Sequence, residues 1–266
     1  MEIRANKYII IFMDDSMLFR ENIKEKLETK KWFQKTDSIT KKELFDLPQD
    51  FDGFLQDLTI RSDEFEGVDV LRLIKLARGN FIITPVFEVR SQHTNQIFTY
   101  EYASFKYGKH SGYRGILFLE VDGSIEYFVV KYTKKFALGL WVYDTIGDFI
   151  QYTGGELVNF PKKVEKEIME ELDLDELLVK RFINLGTLNT DVTLTNKQAL
   201  LFAAVIDGND SRKLKHVKDV VLETKKISFG VKIIPIKLLN EYVHKIDDSY
   251  FLACVVRLLA TNVIKI

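Results

Sequence analysis

The strongest pattern in this sequence is the acidic segment Lys166-Glu167-Ile168-Met169-Glu170-Glu171-Leu172-Asp173-Leu174. On a helix, Glu167, Glu170 and Glu171 occupy positions i, i+3 and i+4, so their carboxylates share one face. Ile168 and Leu172 lie on a neighbouring face and can anchor the helix to a hydrophobic core. Hard oxygen ligands gathered in this way suit Mg²⁺ or Mn²⁺. The segment therefore predicts a helix that presents a divalent metal site.

The same helix has a second interpretation that needs no metal. Runs of charge are commonly solvated surface. The carboxylates also have basic neighbours at Lys162, Lys163 and Lys166. On this helix alone, a metal site and a solvated acidic face both remain open.

The composition predicts a soluble globular protein. Of the 266 residues, 46% are hydrophobic and 29% are charged, and the net charge is -1. Nonspecific nucleic-acid binding needs a basic surface that neutralises phosphates, so this balance argues against it. A local basic pocket remains open.

The compartment expected from the sequence is the cytoplasm. The single cysteine, Cys254, lies in an apolar run, so there is no disulfide framework and a reducing environment is expected. The apolar run near the N-terminus is short, is followed by two aspartates and lacks a cleavage site. No stretch approaches the roughly 20 apolar residues of a membrane span, so no membrane partner is expected.

Residues 1–80 alternate between strand-like and helix-like segments. Tyr8–Phe12 is predicted as a buried strand and Met17–Trp32 as an amphipathic helix. Phe51–Ile60 is predicted as a second strand and Val68–Ala77 as a second helix. This β-α-β-α order is typical of a parallel sheet.

From residue 81 the pattern becomes rich in strands. Asp122-Gly123, between two alternating segments, is the strongest hairpin signal in the chain. A helix follows at Pro161–Leu172, with the proline well placed in its first turn. The other predicted strands and helices are Val86–Arg90, Phe98–Phe105, Gly115–Val121, Glu126–Tyr132, Ala199–Ile206, Lys226–Ile236, Ile236–Val243 and Ser249–Thr261. The mixture of hairpins and helices predicts an α+β sandwich.

The acidic helix and the loop before it resemble the Nudix box, G-x5-E-x7-R-E-U-x-E-E-x-G-U, in which U is a bulky aliphatic residue. Lys166 stands where the family has arginine, and Asp173 where it has glycine. Gly147 would be the box glycine and Glu156 the isolated glutamate. The spacings before and after Glu156 are three and two residues longer than the pattern, so the loop is remodelled. The positions that match outright are Glu167, Ile168, Glu170, Glu171 and Leu174.

Segments on both sides of the box extend the resemblance toward the ADP-ribose pyrophosphatase branch of that family. They occur in the right order along the chain, at Phe128–Lys134, Trp141–Gly147, Leu185–Leu188, Ala199–Val205, Ile233–Ile236 and Lys245–Ser249. The resemblance implies a Nudix domain over residues 81–266, folded as an α/β/α sandwich of a mixed sheet and helices. By the same analogy, the protein would be a homodimer.

The resemblance also implies a reaction, the metal-assisted attack of water on a diphosphate. Glu167 and Glu171 would be the principal ligands of Mg²⁺ or Mn²⁺. Glu170 would act in catalysis as a second or water-mediated ligand, and the backbone carbonyl of Ile146 would complete the set.

The general base implied by the family would come from a loop late in the domain. Glu223 is the leading candidate here, and Asp210 and Asp219 are weaker alternatives. An ordinary surface glutamate beside two lysines is an equally open interpretation of Glu223.

Substrate recognition is expected at the end of the strand that precedes the box. Lys131, Lys134 and Lys135 would contact the diphosphate, and Tyr132 would stack on a purine. Glu156 would also bind the substrate. The alternative is a strand end that simply faces solvent.

Residues 1–80 lie outside the Nudix pattern and resemble a response-regulator receiver. Asp14 and Asp15 look like its acidic metal pair, and Asp57 looks like a phosphoacceptor at the end of a strand. Gly67–Lys75 looks like the helix that follows. A fifth strand and a final helix are missing, so the alternative is a small α/β extension that dimerises or shapes the substrate site.

Three functions follow from these patterns. The first is a metal-dependent pyrophosphohydrolase acting on a nucleoside diphosphate derivative such as ADP-ribose or a nucleotide sugar. The second is a sensor that binds a nucleotide metabolite without turnover and signals through residues 1–80. The third is a scaffold with an N-terminal interaction module. The lengthened loop between Gly147 and Lys166 separates the first two, because a displaced loop would leave the metal shell incomplete.

Overall fold

A computed structural model describes the chain in nine segments. These are residues 15–65, 67–110, 112–135, 138–148, 160–172, 179–191, 194–208, 221–224 and 227–262. The predicted strand Tyr8–Phe12 and Asp14 lie outside the described residues. Asp15 has a described backbone only.

The described helices are seven, with short 3-10 turns at Gln49–Phe51 and Ile236–Leu238. In chain order they are α1 (Asp15–Glu28), α2 (Lys31–Gln34), α3 (Ser38–Phe45), α4 (Asp52–Thr59), α5 (Phe160–Leu172), α6 (Leu239–Val243) and α7 (Ser249–Ala260).

Twelve strands are described, and they form two sheets. They are β1 (Glu64–Phe65), β2 (Val68–Arg78), β3 (Ile82–Ser91), β4 (Ile97–Glu101), β5 (Ser104–Phe105), β6 (Gly112–Val121), β7 (Ser124–Lys135), β8 (Leu140–Asp144), β9 (Val179–Asn189), β10 (Gln198–Asp207), β11 (Val221–Thr224) and β12 (Ile227–Pro235).

The first sheet is antiparallel and has the order β1-β2-β3-β4, with β5 paired to β3. It shares one hydrophobic core with the N-terminal helices, in which Trp32, Leu44, Phe54 and Phe87 are fully buried. Because this sheet continues to Phe105, the N-terminal unit does not end at residue 80. The predicted parallel β-α-β-α arrangement is wrong.

Two N-terminal elements have a different secondary structure from the one predicted. Phe51–Ile60 was expected as a strand, but it forms a 3-10 turn and α4. Its buried residues Phe54, Leu55 and Leu58 have helical spacing. Val68–Ala77 was expected as a helix but forms β2. Register shifts after Val70 and Leu73 lengthen the strand's alternation, so that its buried residues have a spacing that looks helical in the sequence.

The second sheet has the order β11-β12-β7-β6-β10-β9, with β8 paired to β7. All neighbours are antiparallel except β6 and β10, which run parallel from Gly112 and Ala199 onward. The predicted hairpin between β6 and β7 is confirmed. Asp122 and Gly123 have φ values of 50° and 82°, as a two-residue type I′ turn requires.

Helices cover both faces of the second sheet. α5 contributes Val164 and Ile168 to a buried cluster with Leu117 and Phe202 on one face. α7 and α6 close the other face, on which α7 contributes Phe251, Cys254, Val255 and Leu258 to the core. The α+β class and the three-layer sandwich predicted for this part of the chain are confirmed. The predicted helix Pro161–Leu172 corresponds to α5.

None of the described helices is both long enough and apolar enough to cross a membrane.

Candidate functional site

α5 presents its acidic side chains at two different levels of exposure. Val164 and Ile168 are buried, so Glu167 lies at the margin between core and solvent and is half-buried. Glu171 follows Glu167 by four residues in α5, and its side chain is outside the described part. Glu170 is exposed, and its Oε1 lies 3.3 Å from the Nζ of Lys166.

The segment after β8 is held against the start of β6. Ile146 is fully buried, its carbonyl oxygen accepts the Gly115 N–H at 2.8 Å, and its own N–H donates back at 3.1 Å. Gly147 has a φ of 150°, and a Cβ on it would overlap the carbonyl of Tyr113. The residue expected as the box glycine therefore stands where the backbones approach too closely for a side chain.

Some predicted site residues fall outside the described part of the chain. These are Glu156, Leu174, Asp210 and Asp219. Glu223 has a described backbone only, in β11 at the edge of the sheet opposite Ser228. Their predicted roles remain untested predictions.

The predicted substrate-binding residues of β7 do not converge on one face. Val129 belongs to the core cluster beneath α5 and Val130 to the opposite cluster, so alternation places Lys131 on the α5 face. Tyr132 and Lys134 occupy the alternate positions of the strand and lie on the opposite face, where α6 and α7 pack. The Tyr132 ring stacks on Trp141 at 5.2 Å between centroids.

The second sheet divides where β8 enters it. β6 pairs with β7 only over Leu117–Val121, and nearer its start Gly115 pairs instead with Ile146. β7 takes β8 as a partner over Lys131–Lys135. β6 and β7 therefore separate, and residues 144–148 lie in the gap between them.

Charged side chains gather around this gap. We call Arg114, Lys135, Asp144, Lys197 and Asp248 the split-sheet cluster, since each interacts electrostatically with at least one other member. The cluster joins the ends of five elements, namely β6, β7, β8, the segment before β10 and the N-terminus of α7.

The carboxyls of the cluster fasten the segment that carries Ile146. Oδ1 of Asp144 and Oδ2 of Asp248 both accept the N–H of Thr145, at 3.0 and 2.9 Å. Burial favours a raised pKa for Asp144, but the ion pair with Lys135 and the charge of Arg114 outweigh it and hold the pKa below its usual range. Burial and the neighbouring Asp144 raise the pKa of Asp248.

Lys197 is the member of the cluster that lies beside a glycine. The Nζ of Lys197 is 3.9 Å from where a Cβ on Gly112 would stand, and 4.6 Å from the centre of the Phe105 ring. Burial, with a further contribution from the charge of Arg114, lowers the pKa of Lys197 to about 8. The guanidinium of Arg114 lies 5.9 Å from the Tyr250 ring.

Sequence reasoning named Lys135 as a candidate phosphate contact, but it missed Arg114 and Lys197 and the grouping of these side chains. The available signal was weak: Arg114 and Lys197 are basic residues at the starts of two strongly apolar strands. Their proximity depends on the parallel pairing of β6 with β10, which no local pattern shows.

Asp57, predicted as a phosphoacceptor after a strand, instead lies within helix α4. Its Oδ2 accepts the N–H of Lys109 at 2.5 Å and the Nδ2 of Asn196 at 3.3 Å. Burial raises its pKa to about 6. The carboxyl therefore belongs to a packed junction, and the strand-end geometry expected of a receiver is absent at this residue.

The fold has a counterpart among solved structures. A crystal structure of an ADP compounds hydrolase matches this chain with a TM-score of 0.53 at 8% sequence identity, covering 75% of this chain and 96% of that one. The fold is Nudix-like. No protein-family model and no curated protein matches the sequence.

The acidic helix can be compared with what a divalent metal requires. Among the described side chains, which do not include Glu171, no group of three or more His, Cys, Asp or Glu could hold a metal ion. The carboxylates of Glu167 and Glu170 lie within one turn of α5, and such hard oxygen donors suit Mg²⁺ or Mn²⁺. The described donors fit the metal in chemistry, and Glu171 would be needed to complete them.

Proposed function

We propose that this protein is a metal-dependent pyrophosphohydrolase that cleaves a nucleoside diphosphate derivative, such as ADP-ribose or a nucleotide sugar. The observation that carries the proposal is the half-buried Glu167 at the margin of α5 in a Nudix-like fold. The sequence places Glu171 four residues later on the same helix. The solved ADP compounds hydrolase supports a nucleotide-derived substrate.

The proposed metal ligands are Glu167, Glu170, Glu171 and the carbonyl of Ile146. When bound, Mg²⁺ or Mn²⁺ would neutralise the diphosphate and lower the pKa of a bound water. Glu170 would be a second or water-mediated metal ligand, because its side chain is exposed and paired with Lys166.

The remaining proposed roles are substrate binding and general-base catalysis. Lys131 lies on the α5 face of the sheet and is proposed to contact the diphosphate, with Glu156 nearby. Tyr132 and Lys134 would reach only a part of the substrate that extends around the edge formed by β8. Glu223 is proposed as the general base.

The test is hydrolysis of a panel of nucleoside diphosphate derivatives with Mg²⁺ or Mn²⁺, measured as released phosphorylated products. We expect Glu167→Gln and Glu171→Gln each to lower turnover by at least about 100-fold, a loss of roughly 2.7 kcal/mol of transition-state stabilisation. Mn²⁺ affinity, measured by titration calorimetry, should fall in the same variants because a ligand is lost.

Glu165→Gln on the same helix is the matched control, since Glu165 has no role in the proposed site. It should keep the turnover and Mn²⁺ affinity of the unaltered protein. Full turnover in Glu171→Gln would refute the metal role. Tight binding of a substrate that is never cleaved would instead favour the sensor, a candidate supported by the lengthened loop before α5.

A further inference from the structure

The hairpin formed by β7 and β8 ends in an exposed turn. The last pair between the two strands is Lys135 with Leu140, and of the residues that join them the structure describes Leu138 and Gly139. The N–H groups of Leu138 and Gly139 both donate to the carbonyl of Lys135, at 3.2 and 2.9 Å. A Cβ on Gly139, which has a φ of 67°, would meet no described atom within 4 Å. The turn therefore projects from the described part of the sheet.

The apolar side chains of this turn are exposed to solvent. Leu138 is 62% exposed, Leu140 is 64% exposed and Trp141 is 40% exposed. We call Leu138, Gly139, Leu140 and Trp141 the hairpin tip. Strand alternation places Leu140 and Trp141 on opposite faces of the sheet, so the tip is apolar on both sides. Adjoining apolar side chains held in water mark a surface that contacts something else.

Positive charge borders the hairpin tip. Residues 131–143 contain three lysines and no acidic residue, in a chain whose net charge is -1. Lys134 is exposed and lies opposite Trp141 in the pairing of the two strands. Lys135, on the other face, is offset by its ion pair with Asp144. The hairpin is therefore apolar at its end and basic where it joins the sheet.

Aromatic rings support the tip on one face. The Tyr132 ring stacks on Trp141 and lies 5.0 Å from the Tyr143 ring. The Nζ of Lys232, from β12, lies 4.6 Å from the centre of the Tyr132 ring and donates to the Tyr143 hydroxyl at 3.1 Å. Tryptophan and tyrosine rings are favoured where hydrocarbon meets water, and lysine stems can cover apolar surface while the ammonium stays in water.

The size and charge of this surface favour a lipid bilayer over another protein. A stable protein interface covers about 800 Å² on each partner, and the exposed parts of three side chains at a turn fall well short of that area. A bilayer requires only that a few apolar side chains enter its interfacial region, and its anionic headgroups attract lysines beside them. Such a contact needs no membrane-spanning helix.

We propose that the hairpin tip docks this protein on a membrane surface that carries anionic lipids. Leu138, Leu140 and Trp141 enter the interfacial region, and Lys134 contacts the headgroups. The inference is independent of the proposed hydrolase, because it concerns lipid binding by the full chain without metal or nucleotide.

Co-sedimentation of the full chain with vesicles tests the docking, with a chelator present so that no divalent metal bridges protein and lipid. We expect binding to phosphatidylcholine vesicles that contain about 30% phosphatidylserine, and at least about fivefold weaker binding to pure phosphatidylcholine. The double variant Leu138→Ser with Leu140→Ser should bind the mixed vesicles at least about tenfold more weakly. Leu194→Ser, at a leucine that is 67% exposed elsewhere in the chain, is the matched control and should bind as the unaltered protein does.

The contribution of charge is tested separately. Lys134→Gln should weaken binding to the mixed vesicles about fivefold and leave binding to pure phosphatidylcholine unchanged, because only the attraction to anionic headgroups is lost. Lys237→Gln removes an exposed lysine just beyond the opposite end of β12 and should match the unaltered protein on both kinds of vesicle.

The fluorescence of Trp141 reports whether the tip itself enters the lipid. The chain has two tryptophans, and Trp32 is fully buried in the N-terminal core. Mixed vesicles should shift the emission to shorter wavelength, and lipids brominated on their acyl chains should quench it. Trp141→Phe should sediment with the vesicles to within about threefold of the unaltered protein and lose both fluorescence effects.

Three results would overturn the docking: no binding to the mixed vesicles, equal binding by the double variant and the unaltered protein, or no quenching by brominated lipid. Circular dichroism checks that the double variant is folded, and quenching in the unaltered protein decides the case if it is not. Self-association that the double variant abolishes, without vesicle binding, would assign the tip to contact with a second copy of the chain and reject the membrane.

Discussion

Asp57 is held in the junction between α4 and the loops that lead into the second sheet. Its carboxyl is half-buried, and its pKa is raised to about 6. Since the folded-state pKa exceeds the unfolded one, the folded state binds this proton more tightly. The stabilisation is present below about pH 4 and is lost as pH rises through about 6.

Asp57→Asn should remove this dependence while keeping an acceptor for the N–H of Lys109. We expect the free energy of unfolding of the unaltered protein to fall by about 1 kcal/mol relative to the variant between about pH 5 and pH 7.5. Urea unfolding at the two pH values measures it. Asp46→Asn, at an exposed carboxylate in the same unit, should follow the unaltered protein, and parallel behaviour of all three proteins would contradict the assignment.

For single residues, the sequence predicted correctly those positions that depend on spacing along the chain. Glu167 and Glu170 are on one helix as expected, and Gly147 occupies a position that only glycine fits. Asp57 was misjudged because an acid after an apolar run looks alike in a strand and in a short helix. Lys197 was missed because its surroundings come from distant parts of the chain.

The N-terminus of α7 links a helix cap to the segment that carries Ile146. Asp248 accepts the N–H of Tyr250 at 3.0 Å as the N-cap and the N–H of Thr145 at 2.9 Å. Asp248→Ala leaves both donors without that acceptor, so we expect a loss of about 2 kcal/mol in the free energy of unfolding.

The neighbouring carboxylate provides the control for the cap. Asp247 is exposed, and Asp247→Ala should change stability by no more than about 0.5 kcal/mol. Urea unfolding measures both variants. Equal stability of Asp248→Ala and Asp247→Ala would show that the cap and the Thr145 contact contribute nothing.

Helices and strands whose local sequence pattern is strong were predicted correctly. Those whose pattern is altered by pairing with distant strands were not. The β6–β7 hairpin and α5 follow from a turn dipeptide and a helical period. β2 was mistaken for a helix because its bulges place the buried residues Val70 and Leu73 three apart. Propensity and period cannot identify a bulge, which arises from pairing with β3.

Helix α4 makes a close backbone contact with the segment that connects β5 to β6. A Cβ on Gly53 in α4 would overlap the carbonyl of Tyr107, and Gly108 adopts a φ of 87° beside it. The N–H of Phe54 donates to the carbonyl of Lys106 at 3.2 Å, and Nζ of Lys106 pairs with Asp50 at 2.6 Å. The contact leaves no room for a side chain.

Gly53→Ala should therefore destabilise the junction by about 2 kcal/mol or more, because backbone atoms must move to admit the methyl group. Trp32 is buried in the N-terminal core and Trp141 lies in β8, so a Trp141→Phe background makes Trp32 fluorescence report that core alone. Gln56→Ala, at an exposed position of α4, is the control. An unchanged urea midpoint in Gly53→Ala would contradict the close contact.

For the molecule as a whole, the resemblance to a family predicted the sandwich of the second sheet. The five-stranded N-terminal sheet was not predicted. It includes segments on both sides of residue 80, where the change in pattern suggested a boundary. Its core joins Leu27 and Leu44 to Val89 and Tyr102, which are contacts that pattern along the chain does not encode.

The parallel pairing of β6 with β10 bears on how the chain is synthesised. β6 receives its hairpin partner β7 at once, but its other edge stays open until residues 198–207 leave the ribosome. During that interval a strand of apolar residues offers unpaired hydrogen-bonding groups to any passing extended chain. Products of premature termination between residues 122 and 197 would keep this edge permanently and should depend on chaperones to remain dispersed.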